Sequence, residues 1–107
     1  VRLSGLQSEI DRLQRDIQSL GAVNLAALDE ALNKGSWTEL RAVAHRIKGT
    51  CGTLGFDSCR ALALEVEKHC SSGEAENDPA KAVILTQELQ TTLKLALSEG
   101  LAWSQSL

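Results

Sequence analysis

The sequence predicts an all-α fold, an antiparallel four-helix bundle with an additional N-terminal or short helix. Three observations carry this. Leu and Ala dominate the apolar residues, aromatics make up 3% and there is a single proline, Pro79, a mix that favours helix over sheet. Apolar residues recur in steps of three and four along most of the chain. Gly, Ser, Asn and Pro gather at a few points that divide the periodic stretches into helices with short connections.

The first periodic stretch spans residues 3–20. Leu3, Leu6, Ile10, Leu13, Ile17 and Leu20 form one stripe, with Glu9, Asp11, Arg12, Arg15 and Asp16 between them. Gly21 reads as a break, and Asn24 as the cap of a short second helix to about Leu32. Gly35 ends that helix. Ser36 and Glu39 fit a capping box opening a third helix from Trp37 to about Thr53. Its inward positions are Leu40, Val43, Ala44, Ile47, Cys51 and Leu54. Asp57 or Ser58 caps a fourth helix to about Cys70, with Cys59, Leu62, Ala63, Val66 and Cys70 inward. "SSGEAEND" reads as a mobile polar loop. Asp78 and Pro79 then cap and open a last helix that reaches towards Trp103, with Leu85, Leu89, Leu93 and Ala96 inward. The third, fourth and last helices make most of the core. The first is expected to pack as an extra or capping element, or to be a linker helix arriving from an upstream domain.

At 107 residues and 43% hydrophobic content the chain is a single domain, 1–107, with one core. The net charge is −3. Lys and Arg are scattered, so no nucleic-acid contact is expected. No apolar run approaches a membrane span and no secretory pattern opens the chain. Methionine is absent even at position 1, so the sequence reads as one domain of a longer multidomain protein. Cys51, Cys59 and Cys70 form no CxxC pair. They fit reduced core thiols of a cytoplasmic protein. Cys51, His69 and Cys70 lack the spacing of common zinc sites, and no metal is expected.

The stretch "AHRIKGTCGTLGF", residues 44–56, stands apart. Each glycine inside a helix costs up to about 1 kcal/mol relative to alanine. At 100° per residue, Arg41, Lys48, Gly49 and Gly52 share the azimuth of His45, opposite the apolar stripe. Bulk is thus removed, and positive charge added, beside an outward imidazole. Singly, each residue has a plainer reading: a solvated histidine, glycines for close packing, Gly55 as a helix stop. His69, at a helix C-terminus without such surroundings, fits the cation preference of that position and is not expected to be phosphorylated.

The pattern of His45, Lys48, Gly49 and Gly55 resembles the signature of histidine-containing phosphotransfer (HPt) domains. The likeness extends upstream through "ALNKGSWTELRAVAHRIKG" and downstream through "LGFDSCRALALEVEK". It implies a phosphorelay intermediate, in which His45 accepts a phosphoryl group from a receiver-domain aspartate and passes it to another. It implies that Lys48 offsets the added charge, and that Arg41, Gly49, Gly52, Gly55 and Phe56 meet the receiver. Glu67 matches the position of a residue that orients the imidazole. Leu40, Ala44 or Phe56 would supply an apolar patch. The implied partners are response-regulator receiver domains, and Mg²⁺ would belong to the receiver. The domain itself would be monomeric, without cofactor or kinase activity, in a parent such as a hybrid sensor histidine kinase.

The residues alone agree with that chemistry. Neutral imidazole is a nucleophile near neutral pH, and phosphoryl transfer needs positioning and charge compensation more than covalent machinery. No phosphate-cradling GxxxxGK[ST] or kinase glycine loop is present. Dimeric kinase relatives typically carry Glu or Asp after the histidine, where Arg46 stands. The alternatives are a non-covalent interaction module docking at the Gly49/Gly52 face and a metal-binding bundle. The first leaves the pairing of His45 with Lys48 unexplained.

Overall fold

The computed structural model describes the backbone of residues 2–106 and the side chains of residues 5–99. The side chains of Leu3 and Trp103 therefore lie outside the described residues. Six α-helices follow one another: α1 Arg2–Ser19, α2 Leu25–Lys34, α3 Trp37–Leu54, α4 Asp57–Ser71, α5 Glu74–Asn77 and α6 Pro79–Ser106.

The break expected at Gly21 does not occur. A π-helical turn, Leu20–Asn24, joins α1 to α2, with the Leu25 N–H bonded to the Leu20 carbonyl. Asn24 has helical dihedrals and its side chain makes no capping bond. The result is one continuous helix over residues 2–34, about 50 Å at 1.5 Å per residue, along the 55 Å axis of the molecule. The first helix is thus no separate cap. Its C-terminal residues Ile17 and Leu20 enter the same core as Leu28 and Ala31 of α2. Leu6, expected inward, is 56% exposed because the N-terminal part of α1 projects beyond that core.

The bundle proper consists of this long helix, α3, α4 and α6. Leu40, Val43, Ala44, Ile47 and Cys51 of α3 meet Cys59, Ala63 and Val66 of α4 and Leu89, Leu93 and Leu97 of α6. Leu97, Ala82 and Thr86 are buried although the sequence reading passed over them. Thr86 is tolerated there because its hydroxyl donates to the Ala82 carbonyl at 2.7 Å. At the surface, Gln90 Nε2 of α6 donates to Asp29 Oδ1 of α2 at 2.6 Å.

Both hairpin stops depend on glycine. Gly35 and Gly55 have φ of 63° and 78°, a left-handed conformation that costs little without a Cβ. Gly35 N–H bonds to the Leu32 carbonyl and Ser36 N–H to that of Ala31; Gly55 N–H bonds to Gly52 O and Phe56 N–H to Cys51 O. Each set is a Schellman motif. Half of the expected capping box forms: Ser36 Oγ accepts from Glu39 N–H at 3.3 Å. The Ser36 N–H is already taken by Ala31, and the Glu39 carboxylate turns to Lys34 at 3.7 Å.

Two further expectations change. Phe56, not Asp57 or Ser58, occupies the N-cap of α4, and Asp57 is the first helical residue, where its charge favours the helix N-terminus. The stretch taken for a loop holds α5, anchored by buried Ala75. Asp78 caps α6 as expected, its Oδ1 accepting from Lys81 N–H at 3.1 Å.

Candidate functional site

His45 lies mid-way along α3 on the face opposite Ala44 and Ile47, so burying those two turns the imidazole outward. Its side chain is 69% exposed. Glu67, on α4, faces it across the hairpin with a side chain only 16% exposed. The contact joins His45 Nδ1 to Glu67 Oε2 at 2.5 Å. The other oxygen, Oε1, accepts from Lys48 Nζ at 2.8 Å. Lys48 stands one turn beyond His45 and is half-buried between the helices.

One carboxylate therefore bridges a ring and an ammonium. The hydrogen bond from Lys48 lowers the Glu67 pKa below its usual value, the bond from His45 adds to this, and partial desolvation opposes both. An ionised Glu67 can only accept, so Nδ1 carries the ring proton. Nε2 then presents its lone pair on the solvent side of the ring, as a nucleophile needs.

The ground around the ring is open. An added Cβ at Gly49 would meet nothing within 4 Å. At Gly52 it would touch Cδ and Nε of Arg60 at 3.4 Å, so the α4 arginine, missed in the sequence, lies beside that glycine. A groove beside His45 runs between α3 and the π-helical turn, lined by Asp16, Val23, Asn24, Arg46, Gly49 and Thr53 among others. On the other side of the ring, Thr38, Arg41, Ala42 and Arg46 line a second depression with Glu67.

The structure thus brings together His45, Lys48 and Glu67, with Arg41, Gly49 and Gly52 along the same face. It does not bring Gly55 or Phe56 to the ring. Gly55 forms the helix stop described above. Phe56 is partly buried against the core and borders a cleft with Thr92, Leu95 and Ala96 of α6. Leu40 and Ala44 are fully buried, so neither supplies an exposed apolar patch. The apolar side chain at the groove is Val23, 58% exposed. It was not foreseen because the π-helical turn shifts its azimuth from that of a regular helix.

The second histidine is a different case. His69 is buried, and its Nε2–H donates to the Asp78 carbonyl at 3.1 Å while Nδ1 lies 3.3 Å from Glu74 Oε2. It ties α4 to the start of α6. Among the described residues, no three potential metal-ligating side chains gather in one place, and no helix is long and apolar enough to cross a membrane.

Comparison with known protein families matches residues 10–99 to the Hpt domain. The chain belongs to the Hpt domain family. HPt domains serve phosphotransfer in two-component signalling, as phosphocarriers rather than enzymes, and interact with response-regulator receiver domains. Among curated proteins, the chromosome partition protein Smc of Delftia acidovorans is 77% identical over 30 residues, 28% of this chain and 3% of that protein. So small a share of the relative carries no function to this HPt domain. No solved structure matches the chain.

Proposed function

We propose that this HPt domain is a phosphorelay intermediate whose acceptor atom is His45 Nε2. The observation that supports this best is the pair of contacts on one carboxylate. Glu67 accepts from Nδ1–H at 2.5 Å and from Lys48 Nζ at 2.8 Å, which fixes the tautomer and leaves Nε2 outward. Fixing one ring nitrogen to set the chemistry of the other is the role of such partners elsewhere.

Nε2 attacks the phosphorus of a receiver aspartyl phosphate and later returns the group to another receiver's aspartate. Lys48, with three N–H donors, offsets the charge of the phosphoryl group while keeping its bond to Glu67. Gly49 and Gly52 admit the receiver surface, Arg41 and Arg46 attract its acidic site, and Val23 adds an apolar contact across the groove. Mg²⁺ is supplied by the receiver, and the domain itself uses no cofactor. The parent is a hybrid sensor kinase, and the domain works as a monomer in the cytoplasm.

The test is transfer of label from a phosphorylated receiver to the wild type and to His45→Gln. Acid-labile, alkali-stable label on the wild type alone is the expected result. Equal labelling of His45→Gln overturns the assignment. Receiver binding without any labelling of the wild type makes the domain a non-covalent docking module.

A further inference from the structure

We propose that the groove between α3 and the π-helical turn is a polar docking site for a segment of the receiver, and that Asn24 on its floor is a specificity-determining residue. This rests on the reading of the His45 face as the receiver site and adds a contact away from the reacting ring.

The groove borders His45 and has a volume of about 690 Å³, the size of a binding cleft. Asn24 lines it. That residue is only 7% exposed, yet its side chain makes no capping bond and no other hydrogen bond to a described residue. Every fully buried side-chain nitrogen and oxygen among the described residues has a partner. The unpartnered Asn24 amide must therefore open to the groove. A nearly buried amide without a partner works against stability. The turn that holds it is π-helical, a rare geometry that recurs at functional sites. It sets Asn24 on the floor beside Val23, which is 58% exposed on the rim.

The rest of the lining indicates what fits. Ser19 and Thr50 add two hydroxyls without a hydrogen-bond partner among the described residues, and Arg46 adds a cation. An amide donates and accepts at once. It matches a peptide group or a side-chain amide, and an aliphatic chain would leave it unpaired. The occupant is a receiver segment that sets such a polar, uncharged group against Asn24 and an aliphatic side chain against Val23. A standard interface covers about 800 Å² of each partner, a disc of about 16 Å radius. A receiver whose aspartate reaches His45 Nε2 therefore covers the groove as well. A receiver with an apolar group at that place buries the amide unpaired and is disfavoured, which is how polar sites discriminate.

Asn24→Leu keeps the size and branching of the side chain and removes its hydrogen bonding. Asn24→Ala removes the amide without added bulk. Phosphoramidate, a small phosphoryl donor, reaches His45 without filling the groove and sets a reference labelling rate for each variant. Transfer from a phosphorylated receiver that labels the wild type is measured against receiver concentration. Relative to the reference, kcat/KM for the receiver is expected to fall about tenfold in both variants, through KM and not kcat. The urea midpoint of Asn24→Leu is expected at or above that of the wild type, since an unpartnered amide gives way to an apolar group. The Asn24 side-chain NH₂ pair, followed by NMR in the ¹⁵N-labelled chain, is expected to shift when unphosphorylated receiver is added. An unchanged KM in both variants, or an unmoved NH₂ pair, overturns the role of Asn24 and leaves His45 as acceptor. Equal loss of labelling from receiver and from phosphoramidate makes Asn24 a structural residue and overturns the docking role too. Failure of both donors to label wild-type His45 overturns the acceptor reading itself.

Discussion

The α3–α4 hairpin carries both histidines of the domain, and they are placed in opposite ways. His45 is 69% exposed with one ring nitrogen held by Glu67 and the other open. His69 is 4% exposed with partners at both nitrogens, Glu74 and the Asp78 carbonyl. Both rings face a carboxylate, so a neighbouring acid does not by itself distinguish them. What differs is access to Nε2: solvent and a glycine-lined face at one ring, a backbone carbonyl at the other. One ring lies where a partner can reach it, and the other joins two elements.

The sharpest way to break that contrast is to exchange the consequences of mutation. His45→Gln is expected to abolish phosphoryl acceptance while leaving the unfolding midpoint unchanged, because an exposed ring contributes little packing. His69→Gln is expected to label fully. Label on His45→Gln, or its loss in His69→Gln, read by autoradiography, would reverse the two roles.

Next in size is Lys48→Ala. If Lys48 offsets the phosphoryl charge as proposed, losing it should slow transfer about ten- to a hundredfold, measured by rapid quench with a single receiver. An unchanged rate removes Lys48 from the mechanism. His69→Ala is expected to cost about 1–3 kcal/mol in urea unfolding, since it empties a buried site and removes the ring's hydrogen bond to the Asp78 carbonyl. Its labelling rate should equal that of the wild type.

The acid Glu67 distinguishes the two sites by pH. Its carboxyl titrates below the ordinary value of 4.5, chiefly because of Lys48. A carboxyl lowered by folding adds stability above the unfolded value, and that stability is lost as pH falls through the folded one. Glu67→Gln should therefore be less stable than wild type near neutral pH, and the difference should shrink on acidification below about pH 4. Constant differences in denaturant midpoint across that range would show that the Lys48–Glu67 bond adds nothing. The smallest effect is at the glycine face. Gly49→Ala should raise stability by about 0.5–1 kcal/mol, since the new methyl meets nothing within 4 Å. Gly49→Leu should fold as well yet bind the receiver more weakly. A destabilised Gly49→Ala would mean that this glycine serves packing within the bundle.

Much of the fold was legible because burial in a helix follows a period. The inward residues of α3 came out as read from Leu40 to Cys51, and Gly35, Gly55 and Asp78 ended or began helices where local backbone chemistry requires it. The misreadings have local causes too. Gly21 did not break the helix because helical dihedrals are open to glycine and burial of Ile17, Leu20 and Leu28 on one core outweighs its propensity cost. The polar run before Pro79 folded into α5 because Ala75 finds a buried seat. Leu97 and Thr86 escaped notice because α6 meets three partners over its length, and its buried stripe drifts with them.

By itself, the sequence determined that the chain is helical, that His45 and Lys48 share an outward face with Gly49 and Gly52, and which family motif they form. Those properties lie within one helix and depend only on its pitch. The resemblance had placed Glu67 near the imidazole, but tertiary structure alone decided that the same carboxylate also takes Lys48, that Val23 reaches the groove, and that His69 is closed. Each of these joins residues from separate elements, 19 or 22 positions apart in the case of Glu67. A helical period fixes the direction of a side chain around its own axis. The distance to a side chain on another helix is set by how the two helices pack.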